Sequence, residues 1–409
     1  MTTTKPSIGD QRQVAPQLVV LLGLLAVLGP LTIDLYLPAF PQMQEALSTT
    51  PTQIQLTLSA ATIGFAIGQL IVGPWSDTAG RRLPLLVATT THVASSLAIA
   101  AAPDVTWVLV LRVVQGAGAA GGGVVAMAMI RDVAEGRQLI RGLARVALFT
   151  GIAPIVAPFL GAQLMHLFDW RGIFVVVAAY GSTMLLACVL WLPETHSPES
   201  RSRRPGRATV WGNYRALLWD RRFIGVALIG GMMVSAVFAY LSSSSFLFQQ
   251  QFGMTPQVYG VVSAGNAVAF VIGTQASAVI AERTSPIMVL RVVLPAMAVA
   301  GFFLGLISRT FPGFGPVLPT MLLFFALAGA CGPCLGATGL ADHAARAGTA
   351  AALLGAVNFG LAGVAAPIVG ALGVTTFVPL GLVMGSAMTL ATLLLWLMVS
   401  RPRRTAPAR

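Results

Sequence analysis

Long apolar runs alternate with short segments that hold nearly all of the chain's arginines, and few folds tolerate that alternation. The runs lie at roughly 17–40, 53–74, 83–102, 105–128, 143–167, 172–192, 223–248, 257–280, 287–308, 315–338, 348–371 and 376–399. Each is near the twenty residues that ~30 Å of hydrocarbon requires at 1.5 Å per helical residue. A backbone can cross lipid only if its polar groups are bonded internally, so runs of this length are predicted to be transmembrane α-helices. Composition points the same way. Of the 409 residues 56% are apolar and 9% charged, against roughly 25% charged in a soluble domain.

The formal charge of +12 raises nucleic-acid binding as a function class. Such binding needs basic residues gathered on one solvated face, whereas here they stand in short blocks between apolar runs. That distribution is positive-inside bias, which sets membrane orientation. If residues 1–16 are cytoplasmic, the cytoplasmic segments and adjoining span ends collect 22 of the 25 Lys and Arg, leaving Arg171 and Arg309 outside. The expected architecture is an all-α membrane protein of twelve spans with both termini cytoplasmic. A cytoplasmic N-terminus (1–16) precedes a first six-helix bundle (17–192), and a hydrophilic linker (193–222) leads to a second bundle (223–399) and a basic tail (400–409). A linker at the midpoint suggests two repeated bundles with a substrate site between them. The expected location is the bacterial cytoplasmic membrane.

Once the loops are assigned, Asp34 and Arg112 remain at span depth. An ionisable group there is a functional candidate, because it costs several kcal/mol unless paired or hydrated. Counting helical rise, both lie roughly 10 Å below the same membrane face, so one cavity can hold them. A static ion pair, or an aspartate snorkelling outward, is the competing reading, and sequence does not decide whether the two pair. His92, among Thr89, Thr90, Thr91, Ser95 and Ser96, reads better as a packing histidine than as a proton relay. Cys331-Gly-Pro-Cys334 has the redox spacing but lies in an apolar run with no βαβ context, so packing is expected. No metal-ligand cluster and no phosphate-binding GxxxxGK[ST] loop is present. The energy source expected is a proton gradient, with no cofactor.

Three segments resemble the major facilitator superfamily, and specifically its twelve-helix drug:proton antiporters. GPWSDTAGRR at 73–82 resembles the superfamily's loop motif after the second span, with Gly73, Asp77, Gly80, Arg81 and Arg82 in place. The resemblance implies a latch on the outward-facing state that does not touch substrate; in physical terms the glycines allow a tight turn and close contact. RVVQGAGAAGGG at 112–123 is similar to the fourth-span motif, which implies a proton-coupling role for Arg112 with Gln115 as a polar partner. IAPIVAPFLGA at 152–162 resembles the antiporter motif of the fifth span through Pro154, Pro158 and Gly161, although Ala157 and Ala162 depart from its usual form. PLTIDLYLPAFPQM at 30–43 and QLTLSAATIGFAIGQL at 55–70 are similar to the Bcr/CflA branch of bicyclomycin- and chloramphenicol-type multidrug exporters.

The resemblance implies that Asp34 exchanges protons and meets drug, with Tyr36 and Gln115 beside it in the substrate cavity, and that transport proceeds by alternating access. Ala26 occupies the position where some relatives add a second acid. Phe238, Tyr240, Phe246, Asn266 and Asn358 are further lining candidates, for which packing is an equal reading. The partners expected are small drugs, protons and the bilayer, with a monomer sufficient. A proton-coupled metabolite or amino-acid transporter on the same fold is the alternative. A membrane-embedded enzyme or receptor would need a catalytic constellation that the sequence lacks.

Overall fold

The computed structural model describes residues 16–134, 136–195, 207–311, 313–340, 347–373 and 376–399. Most of the terminal segments 1–16 and 400–409 lies outside these residues, as does part of the linker. Twelve of the described helices are long and apolar enough to cross a membrane. In chain order the elements are α1 (Pro16–Asp34), a 3₁₀ turn (Leu37–Ala39), α2 (Phe40–Ala46), α3 (Pro51–Ala79), α4 (Arg82–Ala100), α5 (Val105–Val133), α6 (Gly136–Leu164) and α7 (Trp170–Trp191). The second half follows with α8 (Arg207–Trp219), α9 (Arg221–Phe246), a π-helical turn (Leu247–Gln251), α10 (Pro256–Arg283), α11 (Pro286–Thr310), α12 (Val317–Leu340), α13 (Ala347–Leu372), α14 (Phe377–Leu394) and a last π turn (Leu395–Val399).

Two features differ from the sequence reading. The linker contains a helix, α8, whose Leu217 packs with Phe223, Ala350 and Leu353 at the base of the second half. Its Arg-, Ser- and Pro-rich surroundings masked that apolar contact. The 73–82 motif is also mostly helical. Gly73 lies inside α3, and the turn narrows to Gly80, whose φ of +93° suits glycine alone, and Arg81.

Helix starts are capped as the local sequence suggests. Asp104 accepts from the N–H groups of Thr106 and Trp107, Asp169 from Gly172, and Asp220 from Arg222 and Phe223. Within the first half α5 is the hub, and its glycine run admits three different helices. A Cβ on Gly116 would meet the Ala61 carbonyl on α3, one on Gly118 the Ala88 carbonyl on α4, and one on Gly122 the Leu25 carbonyl on α1.

The halves meet along α3–α13 and α6–α10. At the end carrying residues 34–52 one apolar core runs through both, from Tyr36, Phe40 and Ile54 to Phe246, Phe248 and Val369. Hydrogen bonds close this end. Gln249 Nε2 donates to Pro38 O (2.8 Å), Gln250 Nε2 to Gln44 Oε1 (3.1 Å), Gln55 Nε2 to Ser243 Oγ (3.2 Å), Thr52 Oγ1 to Gly370 O (3.2 Å) and Gln257 Nε2 to Ala162 O (3.1 Å). At the other end the cores divide. One cluster (Val19, Leu25, Met129, Ile130, Leu192) stays within the first half, and the α8 cluster stays with the second. The molecule is therefore sealed at one face and split toward the other.

Candidate functional site

Asp34 ends α1, just before the chain breaks into the 3₁₀ turn. It is 5% exposed and makes no hydrogen bond or ion pair among the described residues. Arg112 projects from α5 at a similar depth and is fully buried, yet the two do not pair. The guanidinium is held by neutral groups from three helices. Nη1 donates to Thr32 O (2.9 Å) and Gln115 Oε1 (2.6 Å), and Nε donates to Thr57 O (3.3 Å). Its plane lies over the Tyr36 ring, 4.1 Å from the centroid, with Phe174 at 5.7 Å. Nη2 has no partner.

Tyr36 is thereby wedged between the arginine and the sealed end. The Thr57 hydroxyl gives its proton to Ile54 O (2.6 Å), so the Tyr36 hydroxyl donates to Thr57 Oγ1 (3.1 Å). The carboxamide of Gln115 is occupied at both ends, since Nε2 donates to Ser96 Oγ (2.7 Å). Gln115 thus braces Arg112 from behind and offers nothing to a cavity. His92 is fully buried, with Nδ1 3.4 Å from Gln115 O. The neighbouring hydroxyls of Thr89, Ser95 and Ser96 turn to backbone carbonyls instead of to its ring.

The antiporter-type motif reaches the same place from α6, which stays helical through Pro154 and Pro158. A Cβ on Gly161 would run into the Leu35 carbonyl, one residue from Asp34. This glycine sets how closely α6 approaches the acid-bearing turn. Cys331 and Cys334 are free thiols buried in α12, and Cys331 Sγ rests 3.7 Å from Met297 Sδ.

The motif residues 73–82 assemble a second, separate cluster at the split end. Arg81, 2% exposed, donates Nε and Nη2 to the two carboxylate oxygens of Asp132 (2.7 and 3.2 Å) and Nη1 to Asp77 Oδ1 (2.6 Å) and Ser76 Oγ (2.9 Å). Burial works to lower its pKa, but the two carboxylates outweigh it and leave the guanidinium above its usual value. Glu194, beyond α7, caps α4 by accepting from the backbone N–H groups of Arg81 (2.9 Å) and Arg82 (3.2 Å). Arg82 Nη2 donates to Val189 O (2.6 Å). One loop thus ties the ends of α3, α4, α5 and α7. Sequence reasoning missed Glu194 and Asp132; an acid at the end of an apolar run, facing a doubly basic turn, was the available signal.

Across the interface the second half presents polar groups that sequence reasoning had only half identified. Asn266 Nδ2 donates to the Tyr240 hydroxyl (2.7 Å), and the Tyr259 hydroxyl meets Ser244 Oγ (3.0 Å). Ser242 to Ser245 are all buried in α9. The Phe246 ring packs tilted against Phe40, and Phe238 meets Phe359 edge to face. Asn358 lies partly buried beside Gly230, with Oδ1 unpartnered.

Comparisons with known proteins agree with this architecture. The family model described as "Major Facilitator Superfamily" matches residues 22–367. An uncharacterized MFS-type transporter, YdgK, of Bacillus subtilis is 36% identical over 89% of this chain and 90% of its own length. A bicyclomycin resistance protein homolog of Haemophilus influenzae is 26% identical over 93% of this chain and 95% of its own. Multidrug resistance protein D of Escherichia coli is 27% identical over 95% and 96%. The crystal structure of a bacterial homolog of the human lysosomal transporter Spinster, in an inward-facing and occupied conformation, shares the fold with a TM-score of 0.74 at 15% identity, covering 95% of this chain and 97% of that one. With twelve spans in two halves and a family match over most of its length, the chain is a multi-pass protein of the bacterial inner membrane that belongs to the Major Facilitator Superfamily.

Proposed function

We propose that the chain is a proton-coupled antiporter that exports small amphipathic drugs by alternating access, with Asp34 as the carboxyl that exchanges protons. The observation that carries this reading is the solitary acid at span depth, because the arginine beside it is already held by Thr32, Thr57, Gln115 and Tyr36. A carboxyl without a fixed partner is free to take a proton or a drug in turn. The bicyclomycin- and multidrug-resistance names of relatives support the substrate class.

Arginine bias favours a cytoplasmic split end; on that orientation the sealed end faces outward and the conformation is inward-facing. Drug enters from the cytoplasm while Asp34 is deprotonated, and a proton arriving from outside displaces it after the halves rock. At ~2.3 kcal/mol per charge per 100 mV, one proton crossing ~150 mV supplies about 3.5 kcal/mol. At 1.4 kcal/mol per tenfold, that sustains a gradient of roughly 300-fold for an uncharged drug. A single chain holds both halves of the cavity, so a monomer suffices. No cofactor is required, because the proton gradient is the energy source.

The test uses everted vesicles with a pre-formed inward proton gradient and a pH-sensitive dye. Adding chloramphenicol-like or cationic compounds should release protons in wild type and not in Asp34→Asn. No response to any compound would remove the basis for drug export, and retained coupling in Asp34→Asn would remove Asp34 as the proton site.

A further inference from the structure

We propose that Asn266, with Tyr240, Tyr259 and Ser244, forms the C-terminal wall of the substrate site, where the Asn266 carboxamide oxygen accepts an N–H or O–H donor from an uncharged substrate. This rests on the drug-transport reading above and names the substrate chemistry that the second half selects.

The first observation is an unfilled acceptor. Asn266 is 2% exposed, its Nδ2 is spent on the Tyr240 hydroxyl, and its Oδ1 has no partner. An unpartnered buried carbonyl is costly, and in a transporter the natural compensation is a donor that comes and goes with the cargo.

The second is depth. Asn266 is ten residues into α10 from Pro256, or ~15 Å below the sealed face. Tyr240 is eleven residues before Gln251, which ends the span, at ~16 Å. Asp34 lies at ~10 Å, the depth at which Arg112, seven residues into α5 from Val105, reaches the Thr32 carbonyl. The unpaired acid of one half and the unfilled acceptor of the other therefore stand within about one helical turn of one level on either side of the interface.

The third is continuity between them. Tyr259, one turn before Ser263 on the α10 face that carries Asn266, belongs to the same buried core as Leu35 and Tyr36. Ser263 is itself buried, and its hydroxyl has no partner. Gly260 packs on Ala162 of α6, next to the glycine that admits Leu35. Because the Ser244 hydroxyl turns to Leu241 O (3.3 Å), the Tyr259 hydroxyl donates to Ser244. The wall thus has a Tyr259–Ser244 hydroxyl pair, a Tyr240 hydroxyl held by Asn266, and the Asn266 carbonyl and Ser263 hydroxyl left over. It carries no charge, so it discriminates by hydrogen bonding, while Asp34 answers to charge. A site built to pair a donor rejects a ligand lacking it far more strongly than an apolar pocket rejects a change of size.

The test measures equilibrium binding to the purified full chain in lipid nanodiscs with two probes. Chloramphenicol is uncharged and carries an amide N–H and two hydroxyls; tetraphenylphosphonium is a cation with no donor. Asn266→Leu should weaken chloramphenicol by about tenfold or more and change phosphonium much less. On the wild-type chain, chloramphenicol with both hydroxyls acetylated and its amide N-methylated, so that no donor remains, should bind about tenfold more weakly than the parent, a measurement that needs no variant to fold. Equal loss of both probes in Asn266→Leu, or equal binding of the acetylated and parent compounds, would overturn this inference and leave the antiporter reading standing. A wild-type chain that binds neither probe would overturn both.

Discussion

Replacing Gly161 by alanine places a methyl group against the Leu35 carbonyl, one residue from Asp34. The same change at Gly151, ten residues earlier on α6, places a methyl in open space. Intrinsic helix preference favours both substitutions equally, by about 1 kcal/mol. Overpacking opposes only the first, by about 1–3 kcal/mol. Gly151→Ala is therefore expected to raise thermal stability slightly, and Gly161→Ala to lower it by up to about 2 kcal/mol, the difference of those two ranges. Backbone meets backbone at this contact, so the strain has no flexible side chain to absorb it and must move α6 or the turn that carries Asp34. Thermal unfolding in nanodiscs reads the stability, and drug-triggered proton release in everted vesicles reads the coupling. Gly161→Ala should lose most proton release while still inserting in the membrane, and Gly151→Ala should keep it. If the two variants behave alike in both assays, the close approach of α6 does not position the acid.

Arg112→Lys keeps the charge but cannot span Thr32 O, Thr57 O and Gln115 Oε1 while stacking on Tyr36, so coupling should fall nearly as far as in Arg112→Ala; full coupling in the lysine variant would show that charge alone suffices. Arg81→Ala removes the guanidinium shared by Asp132, Asp77 and Ser76 and should cost about 1.5–3 kcal/mol in thermal unfolding, the range for hydrogen bonds to a charged group. Glu194→Gln keeps the shape of the α4 cap but removes its charge, and should cost about 0.5–1 kcal/mol by the same measurement. Cys331→Ser with Cys334→Ser should leave transport equally insensitive to oxidant and reductant, as befits two packing thiols.

Much of this was legible in the residues themselves, and the boundary follows a physical line. Hydropathy and arginine placement are local, so the twelve spans could be counted without knowing any contact. The similar depth of Asp34 and Arg112 followed from helical rise alone. That they do not pair could not be read, because Arg112 chooses backbone carbonyls of Thr32 and Thr57 that every sequence offers equally. Gln115 was expected beside a cavity, but its orientation depends on Ser96 from another helix. Gly80 was readable as a turn residue. Gly73 was not readable as a helical one, since Arg81 beyond it binds both Asp77 on α3 and Asp132 on α5, and the latter is distant in the chain. The polar groups of the sealed end, Gln55, Ser243, Gln249 and Gln250, drew no notice singly. Four consecutive serines inside an apolar run were the clue that polar surface there faces protein.

The hydrogen bonds that seal the molecule at the 34–52 end come from amides and a hydroxyl and are accepted by carbonyl and hydroxyl oxygens. None of these partners titrates near neutrality, and ionic screening acts only weakly on uncharged pairs. Each contributes about 0.5–1.5 kcal/mol net, enough together to hold the closure and little enough to release it. Such a fastening is blind to the medium: a drop in pH or a change in salt on that side leaves its strength as it was. The molecule can therefore live in fluctuating surroundings without its door loosening or jamming, and acidity is registered at the buried carboxyl instead of at the rim.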